Sequence, residues 1–234
     1  GALRYDKYES GEGKATPKLG VKWTPADWIA LRASYAEGFR APNPAENGDG
    51  GLAAFSNASD PVRCAIDAGE CTARTVAIIT RPNKDLKPEE SKSYSVGIVL
   101  QPTSSTSLTV DAWQIKRTNE IAQGSTTAAI RAGNVVRDIN NIGGVPNSGN
   151  ILAVNTAYVN ANSSRVRGID TDIRQTFDIG PGQLEMDLQW SHVLKFERTE
   201  GDTTVDYVGT HGNCDVTNCI GTPKDRINFG TTWR

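Results

Sequence analysis

Alternation of apolar and polar residues with period two runs through most of this chain, and helical periodicity is nearly absent. From 18 to 24, Leu19, Val21 and Trp23 alternate with Lys18, Gly20, Lys22 and Thr24. From 28 to 38, Ile29, Leu31, Ala33 and Tyr35 alternate with Ala30, Arg32, Ser34 and Ala36. Tyr94, Val96, Ile98 and Leu100 oppose Ser93, Ser95, Gly97 and Gln101, and Ile169, Ile173 and Phe177 oppose Asp170, Asp172, Arg174 and Thr176. The longest case, 183–197, sets Leu184, Met186, Leu188, Trp190, Leu194 and Phe196 against Glu185, Asp187, Gln189, Ser191, Lys195 and Glu197. Ile227, Phe229 and Trp233 close the series opposite Asn228, Gly230 and Arg234. In one segment the phase breaks: Leu108, Val110 and Ala112 are followed by Trp113 and Ile115, as a β-bulge would produce. With 2–8 added, eight strands are predicted near 1–9, 16–24, 27–38, 91–101, 106–118, 163–178, 183–198 and 224–234. A short helix is predicted over Ala122–Ala132.

Several of these strands exceed the ~5–6 residues usual in soluble sheets and match the ~9–11 that a tilted strand needs to cross a bilayer. Tight turns at 24–27, 102–105 and 179–182 alternate with long connections at 39–90, 119–162 and 199–223. Short turns at one end and long loops at the other are how outer-membrane barrels are built. Trp23, Trp28, Phe177 and Trp233 should form one aromatic girdle at the short-turn end, with Tyr35 and Tyr94 in a second toward the long loops. Asp170, Asp172, Arg174, Glu185, Asp187, Lys195 and Glu197 should share the other face. A dry core cannot hold them, because each unpaired buried charge costs several kcal/mol or neutralises. They predict a wet lumen or a polar filling.

Composition narrows the function. The 234 residues carry 25 Lys+Arg against 27 Asp+Glu, so the basic excess that phosphate-backbone binding needs is lacking and no nucleic-acid partner is expected. The longest strictly apolar runs are four residues, such as 76–79 and 151–154, far from the ~20 of a membrane helix. The opening Gly1-Ala2-Leu3-Arg4-Tyr5 reads as strand interior rather than as a leader. Four cysteines form two close pairs, Cys64/Cys71 and Cys214/Cys219, each in a polar segment; even number and local pairing favour two disulfides and an oxidising compartment. The rival for the second pair is zinc with His211, but a structural zinc wants four ligands, usually at tighter cysteine spacing. Disulfides are preferred, and no metal or cofactor is expected.

Several stretches resemble the barrel of TonB-dependent outer-membrane receptors. They are Ala15-Thr-Pro-Lys-Leu-Gly-Val-Lys-Trp-Thr-Pro25 running into Leu31-Arg-Ala-Ser-Tyr-Ala-Glu-Gly-Phe-Arg-Ala-Pro42, and Asp85-Leu-Lys-Pro-Glu-Glu-Ser-Lys-Ser-Tyr-Ser-Val-Gly97. Val110-Asp-Ala-Trp-Gln-Ile-Lys116 with Asn119-Glu-Ile121, and Val166-Arg-Gly-Ile-Asp170, follow in the family's order. Cysteine pairs in extracellular loops are similar to those of the family's iron-complex branch. The resemblance implies an all-β fold, an antiparallel transmembrane β-barrel segment with long extracellular loops and short periplasmic turns. About eight strands of a barrel of about 22 would be present. Residues 1–234 would be a partial barrel domain, without the family's plug, TonB box and C-terminal strands, and such a piece is not expected to fold stably alone.

The resemblance further implies a location in the outer membrane of a Gram-negative bacterium, in contact with its lipid. It implies active uptake of a ferric siderophore or similar scarce large ligand, powered by the TonB complex acting through plug and TonB box. Capture would fall to 39–90, 119–162 and 199–223. Arg40, Arg63, Arg74 and Arg81 are the candidate contacts for an anionic ferric complex. Two rival classes are a passive porin-like small barrel of eight strands and a secreted β-sandwich binding module, the latter with acceptor-like Asn57-Ala-Ser59 and Asn162-Ser-Ser164. An enzyme is disfavoured: neither His192 nor His211 sits in a defensible Ser/Asp arrangement.

Overall fold

The computed structural model describes residues 1–8, 13–210 and 222–234. In chain order its strands are β1 (Ala2–Lys7), β2 (Gly13–Ala26), β3 (Ile29–Arg40), β4 (Leu52–Ala58), β5 (Arg74–Arg81) and β6 (Glu89–Thr103). They continue as β7 (Thr106–Gln123), β8 (Val135–Arg137), β9 (Ile151–Ile179), β10 (Gly182–Glu200), β11 (Thr203–Asp206) and β12 (Asp225–Trp233). Three short helices, α1 (Pro44–Asn47), α2 (Pro61–Ile66) and α3 (Thr126–Arg131), lie between strands. All eight expected strands are present, and α3 falls inside the expected helix.

Two units can be distinguished. The first comprises Gly1–Arg40, Glu89–Glu120 and Asn162–Arg234. Its sheet runs β1-β2-β3-β6-β7-β9-β10, with β12 and β11 both on the free edge of β10. Two hairpin turns, at 104–105 and 180–181, fall within the expected tight turns. The other sits two residues later than expected, at 27–28, because β2 runs on to Ala26. Gly180, at φ +57, is where the third turn needs a left-handed residue.

Register fixes which side chains share a face. Leu19, Leu31, Ile98 and Val110 lie on one face, as do Leu184, Leu188, Phe229 and Ile227. None of these is packed away. Every buried hydrophobic residue among the described residues belongs to the second unit, whereas Val21, Trp23, Val96 and Ile227 are each more than 60% exposed. A sheet with one continuous uncovered apolar face is built to meet lipid.

Two details differ from the alternation pattern. The phase break near Ala112 is no bulge against β6: pairing is unbroken from Glu90↔Thr118 to Leu100↔Leu108. Against β6 the strand is regular from Leu108 to Thr118, and Trp113 and Ile115 simply stand on the polar face. The bulge lies instead in β10, between Val193 and Lys195. Beyond it Lys195 opposes Arg167 and Glu197 opposes Arg165, so both move to the face that carries Ile169 and Ile173. The expectation that Lys195 and Glu197 line the polar face is therefore corrected: one extra residue reverses the facing of everything after it.

The second unit comprises Ala41–Pro88 and Ile121–Ala161. Both connections were expected to be loops; together they fold into a small layer with its own core. β5 is antiparallel to β4 and parallel to the start of β9, which also pairs with β8. Val76, Ile78, Ala129, Ile130 and Val154 form the core, with α3 packed on the sheet. Caps hold the short helices: Asn43 accepts from the Ala45 and Glu46 N–H groups while the Glu46 carboxylate accepts from the Asn43 N–H at 2.8 Å.

Candidate functional site

The polar face of the first unit is a hydrogen-bonded surface. Arg32 forks onto Asp111 across Gly97, which must lack a side chain for that pair to close. Ser34 and Ser95 hydroxyls meet at 2.7 Å, Ser191 donates to Asp170 at 2.6 Å, and Arg174 lies 3.3 Å from Asp172. Asp170, Asp172, Arg174, Glu185 and Asp187 thus share this face, as their register requires. Trp113 is the exception in kind: its ring lies over Gly168 and its buried indole N–H finds no acceptor among the described residues.

On the apolar face the aromatic rows fall where the alternation puts them. Phe177, Leu184 and Trp233 are direct cross-strand neighbours near the short-turn end. At the far end the Tyr35 and Tyr94 rings meet at 5.0 Å with a 42° tilt, and Trp190 and His192 lie 5.5 Å apart with Asp225 accepting from the Trp190 indole at 2.9 Å.

The second unit holds most of the arginines expected to meet ligand, and an ionic lattice organises it. Asp60 caps α2 by accepting from the Val62 N–H at 3.0 Å and takes the Arg137 guanidinium through both oxygens. Burial pushes the Asp60 carboxyl up, but the Arg137 and backbone hydrogen bonds outweigh it, so it stays below its ordinary value. Arg63 is 6% exposed; its Nε lies 3.0 Å from Glu70 and its Nη1 donates to the Ser148 carbonyl at 2.8 Å. Glu70 also receives Arg74 at 2.7 Å, and the Arg63 hydrogen bond holds its carboxyl below the usual range. Cys64 and Cys71 are joined by a disulfide that clips α2 to the turn carrying Glu70. The expected Cys214–Cys219 pair and His211 lie outside the described residues.

Arg40 is in the first unit, paired bidentately with Glu89 at 2.7 and 2.9 Å. Arg81 differs from the other three in having no carboxylate partner among the described residues, and like Arg40 and Arg74 it is exposed. It lines a cavity of about 650 Å³ with Gly124, Ser125, Asn134, Asn155 and Thr156. The structure brings Arg63 and Arg74 together on Glu70 and leaves Arg81 apart at this cavity. Sequence reasoning missed Asp60, Arg137 and Ser148, the residues that assemble the unit. The signal available was Asp60-Pro61, an N-cap followed by proline at the first helical position.

Comparison with known proteins fits this architecture. The family model for the β-barrel of TonB dependent receptor-like proteins matches residues 1–234. No curated protein matches the chain. Among solved structures, the siderophore receptor PirA from Acinetobacter baumannii is similar at TM-score 0.56 and 17% identity, over 82% of this chain and 24% of that one. The ferric enterobactin receptor PfeA from Pseudomonas aeruginosa, as a double mutant, gives 0.55 and 18% over the same shares. PirA from Pseudomonas aeruginosa gives 0.52 and 14%, over 84% of this chain and 32% of that one. The chain therefore spans about a quarter to a third of the length of these receptors. With a matching model along its whole length and a sheet of the matching kind, this chain belongs to the TonB-dependent receptor β-barrel family.

Proposed function

We propose that the protein containing this chain is an outer-membrane receptor of a Gram-negative bacterium that takes up a ferric siderophore or a similar scarce, large ligand. Transport is active, without covalent chemistry, and is driven through the TonB complex. The observation that carries this reading is the two-faced sheet of the first unit. Its apolar face has no protein cover, and its other face holds Arg32–Asp111, Asp170, Asp172 and Arg174. A membrane barrel with a hydrated or filled interior needs both. The siderophore receptors that share the fold support the ligand class.

Within this reading the second unit takes part in capture. Arg81 meets the ligand, since its charge is uncommitted and it borders a cavity. Arg40 and Arg74 lie at half-exposed positions and contribute more weakly, because Glu89 and Glu70 already neutralise them. Arg63 acts from beneath by fixing Glu70 and the Ser148 carbonyl. The test is uptake of iron-55 ferric enterobactin and ferric hydroxamates by iron-starved cells carrying or lacking the full-length gene. Uptake that needs both the gene and the proton gradient supports the proposal; gene-dependent uptake that persists when the gradient is collapsed marks a passive pore and overturns it.

A further inference from the structure

Opposite charges cancel within the second unit. Seven carboxylates and seven guanidinium or ammonium groups fall in 41–88 and 121–161, so its formal charge is zero. Most of the cations are committed. Arg63 and Arg74 turn to Glu70, Arg137 forks onto Asp60, and Lys84 lies 3.4 Å from Asp49. Arg81, Lys87 and Arg131 have no carboxylate partner among the described residues. Lys87 stands two residues from Asp85 and lines neither of the two large cavities of the unit. Counting arginines alone points to an anionic ligand; placing their carboxylates removes that signal.

The two cavities adjoin, with Gly133 and Val135 in the lining of both. The first, of about 650 Å³, carries one guanidinium, Arg81, beside the amides of Asn134 and Asn155. No other side chain engages either amide among the described residues, and small residues such as Gly124, Ala128 and Ala132 leave them accessible. The second, of about 700 Å³, carries Arg131 and the already forked Arg137 beside the amides of Asn141 and Asn147. Its two cations are offset by Asp138 in the same lining and by Asp60 on Arg137. Across both cavities one net positive charge, that of Arg81, stands among neutral donors and acceptors. The linings of both are free of aromatic rings.

These features discriminate between kinds of ferric chelate. Three singly charged hydroxamates cancel the charge of the ferric ion, whereas three doubly charged catecholates leave a trianion with flat aromatic rings. A trianion seated here would keep most of its charge unmatched after losing water, and its rings would have no aromatic face to stack on. An uncharged chelate presents carbonyl and N–O oxygens, which suit one charge-assisted donor and two amides. We infer that the second unit selects ferric hydroxamates over ferric catecholates, with Arg81, Asn134 and Asn155 as the contacts that hold the chelate. The inference rests on the receptor reading given above and names the ligand class within it.

The test uses the full-length receptor in detergent micelles, with quenching of tryptophan fluorescence reporting binding. The probes are ferrichrome, an uncharged ferric trihydroxamate, and ferric enterobactin, a tris-catecholate trianion. Ferrichrome should bind more tightly by about tenfold or more, the worth of one charge-assisted contact left unmatched in the trianion. Asn155→Lys adds a second cation to the first cavity and should move the preference toward ferric enterobactin by about tenfold. Asn134→Lys, at an exposed position, serves in its place should Asn155→Lys lose heat-modifiable gel migration. Equal or tighter binding of ferric enterobactin by the unaltered receptor overturns the inference, and so does binding of neither chelate or a preference that the lysine leaves unmoved. Failure of the receptor reading is seen separately, as gene-dependent uptake that persists when the proton gradient is collapsed.

Discussion

The Trp113 ring packs against Gly168: a Cβ on that glycine would fall 2.8 Å from the ring and 2.7 Å from the His192 carbonyl oxygen. The contact locks β7, β9 and β10 at one height and needs a residue without a side chain. Gly168→Ala should therefore force strand separation or a ring shift, at about 1–3 kcal/mol. Measured as urea-dependent folding of the full-length receptor into vesicles, the midpoint should fall, and Trp113→Ala on the same background should restore part of it.

The Cys64–Cys71 bridge closes a short loop between α2 and Glu70. Chain-entropy arguments give about 2–3 kcal/mol for a loop of this size. Replacing both cysteines by serine should leave the membrane sheet intact, because the bridge lies wholly in the second unit. Protease cleavage between 61 and 74 should then accelerate by about tenfold or more, with heat-modifiable migration unchanged. Equal rates in bridged and serine forms would show that the ionic lattice alone holds α2.

Acid should loosen the second unit before the sheet. The carboxyls of Asp60, Glu70 and Asp138 all sit below their ordinary values. For Asp60 the Arg137 and backbone hydrogen bonds outweigh an opposing burial effect; for Glu70 the leading cause is Arg63, and for Asp138 the Asn150 side chain. A lowered folded pKa adds stability that is complete above the unfolded value and is lost as pH falls through the folded one. Amide exchange at 60–80 and 137–150 should thus rise as pH drops below about 4, after correction for the intrinsic rate. Arg137→Gln should move that onset to higher pH.

On the proposed function, ligand capture should separate the arginines. Arg81→Gln should raise the half-saturating concentration for ferric siderophore uptake by about tenfold, the worth of one charge-assisted contact, with maximal rate unchanged. Arg74→Gln should do so by less than threefold, since Glu70 already holds that side chain. Arg63→Gln should lower receptor abundance rather than affinity, because it leaves Glu70 short of its buried partner. A ranking with Arg63 foremost in affinity would contradict the geometry.

What the chain revealed in its sequence follows from how regular each part is. Strands of the first unit have a period of two and one apolar face, so Leu184 to Trp190 could be placed without coordinates. The extra residue at 194 was illegible, because Leu194 and Phe196 continue the alternation in print while the facing has already reversed. The opposite error arose at Trp113, where a broken pattern suggested a bulge and the strand is regular. The second unit carries little sequence pattern because its strands are short and its core small, and because its assembly depends on pairs such as Asp60–Arg137 and Arg63–Ser148, far apart in sequence. Its helix caps were legible: Asn43-Pro-Ala-Glu46 carries a capping box with proline at the first helical position.

The irregularity between Val193 and Lys195 also acts as a reading-frame marker for the strand. Deleting Leu194 would remove the extra residue and leave every later pair as it stands, with Lys195 still opposite Arg167 and Glu197 still opposite Arg165. A strand that kept Leu194 but paired without the bulge would instead be inside out above Val193, with Phe196 toward lipid and Lys195 and Glu197 turned inward. The facing of the upper third is thus set by the count of residues between Val193 and Lys195, and one codon more or fewer is tolerated only if the pleat absorbs it.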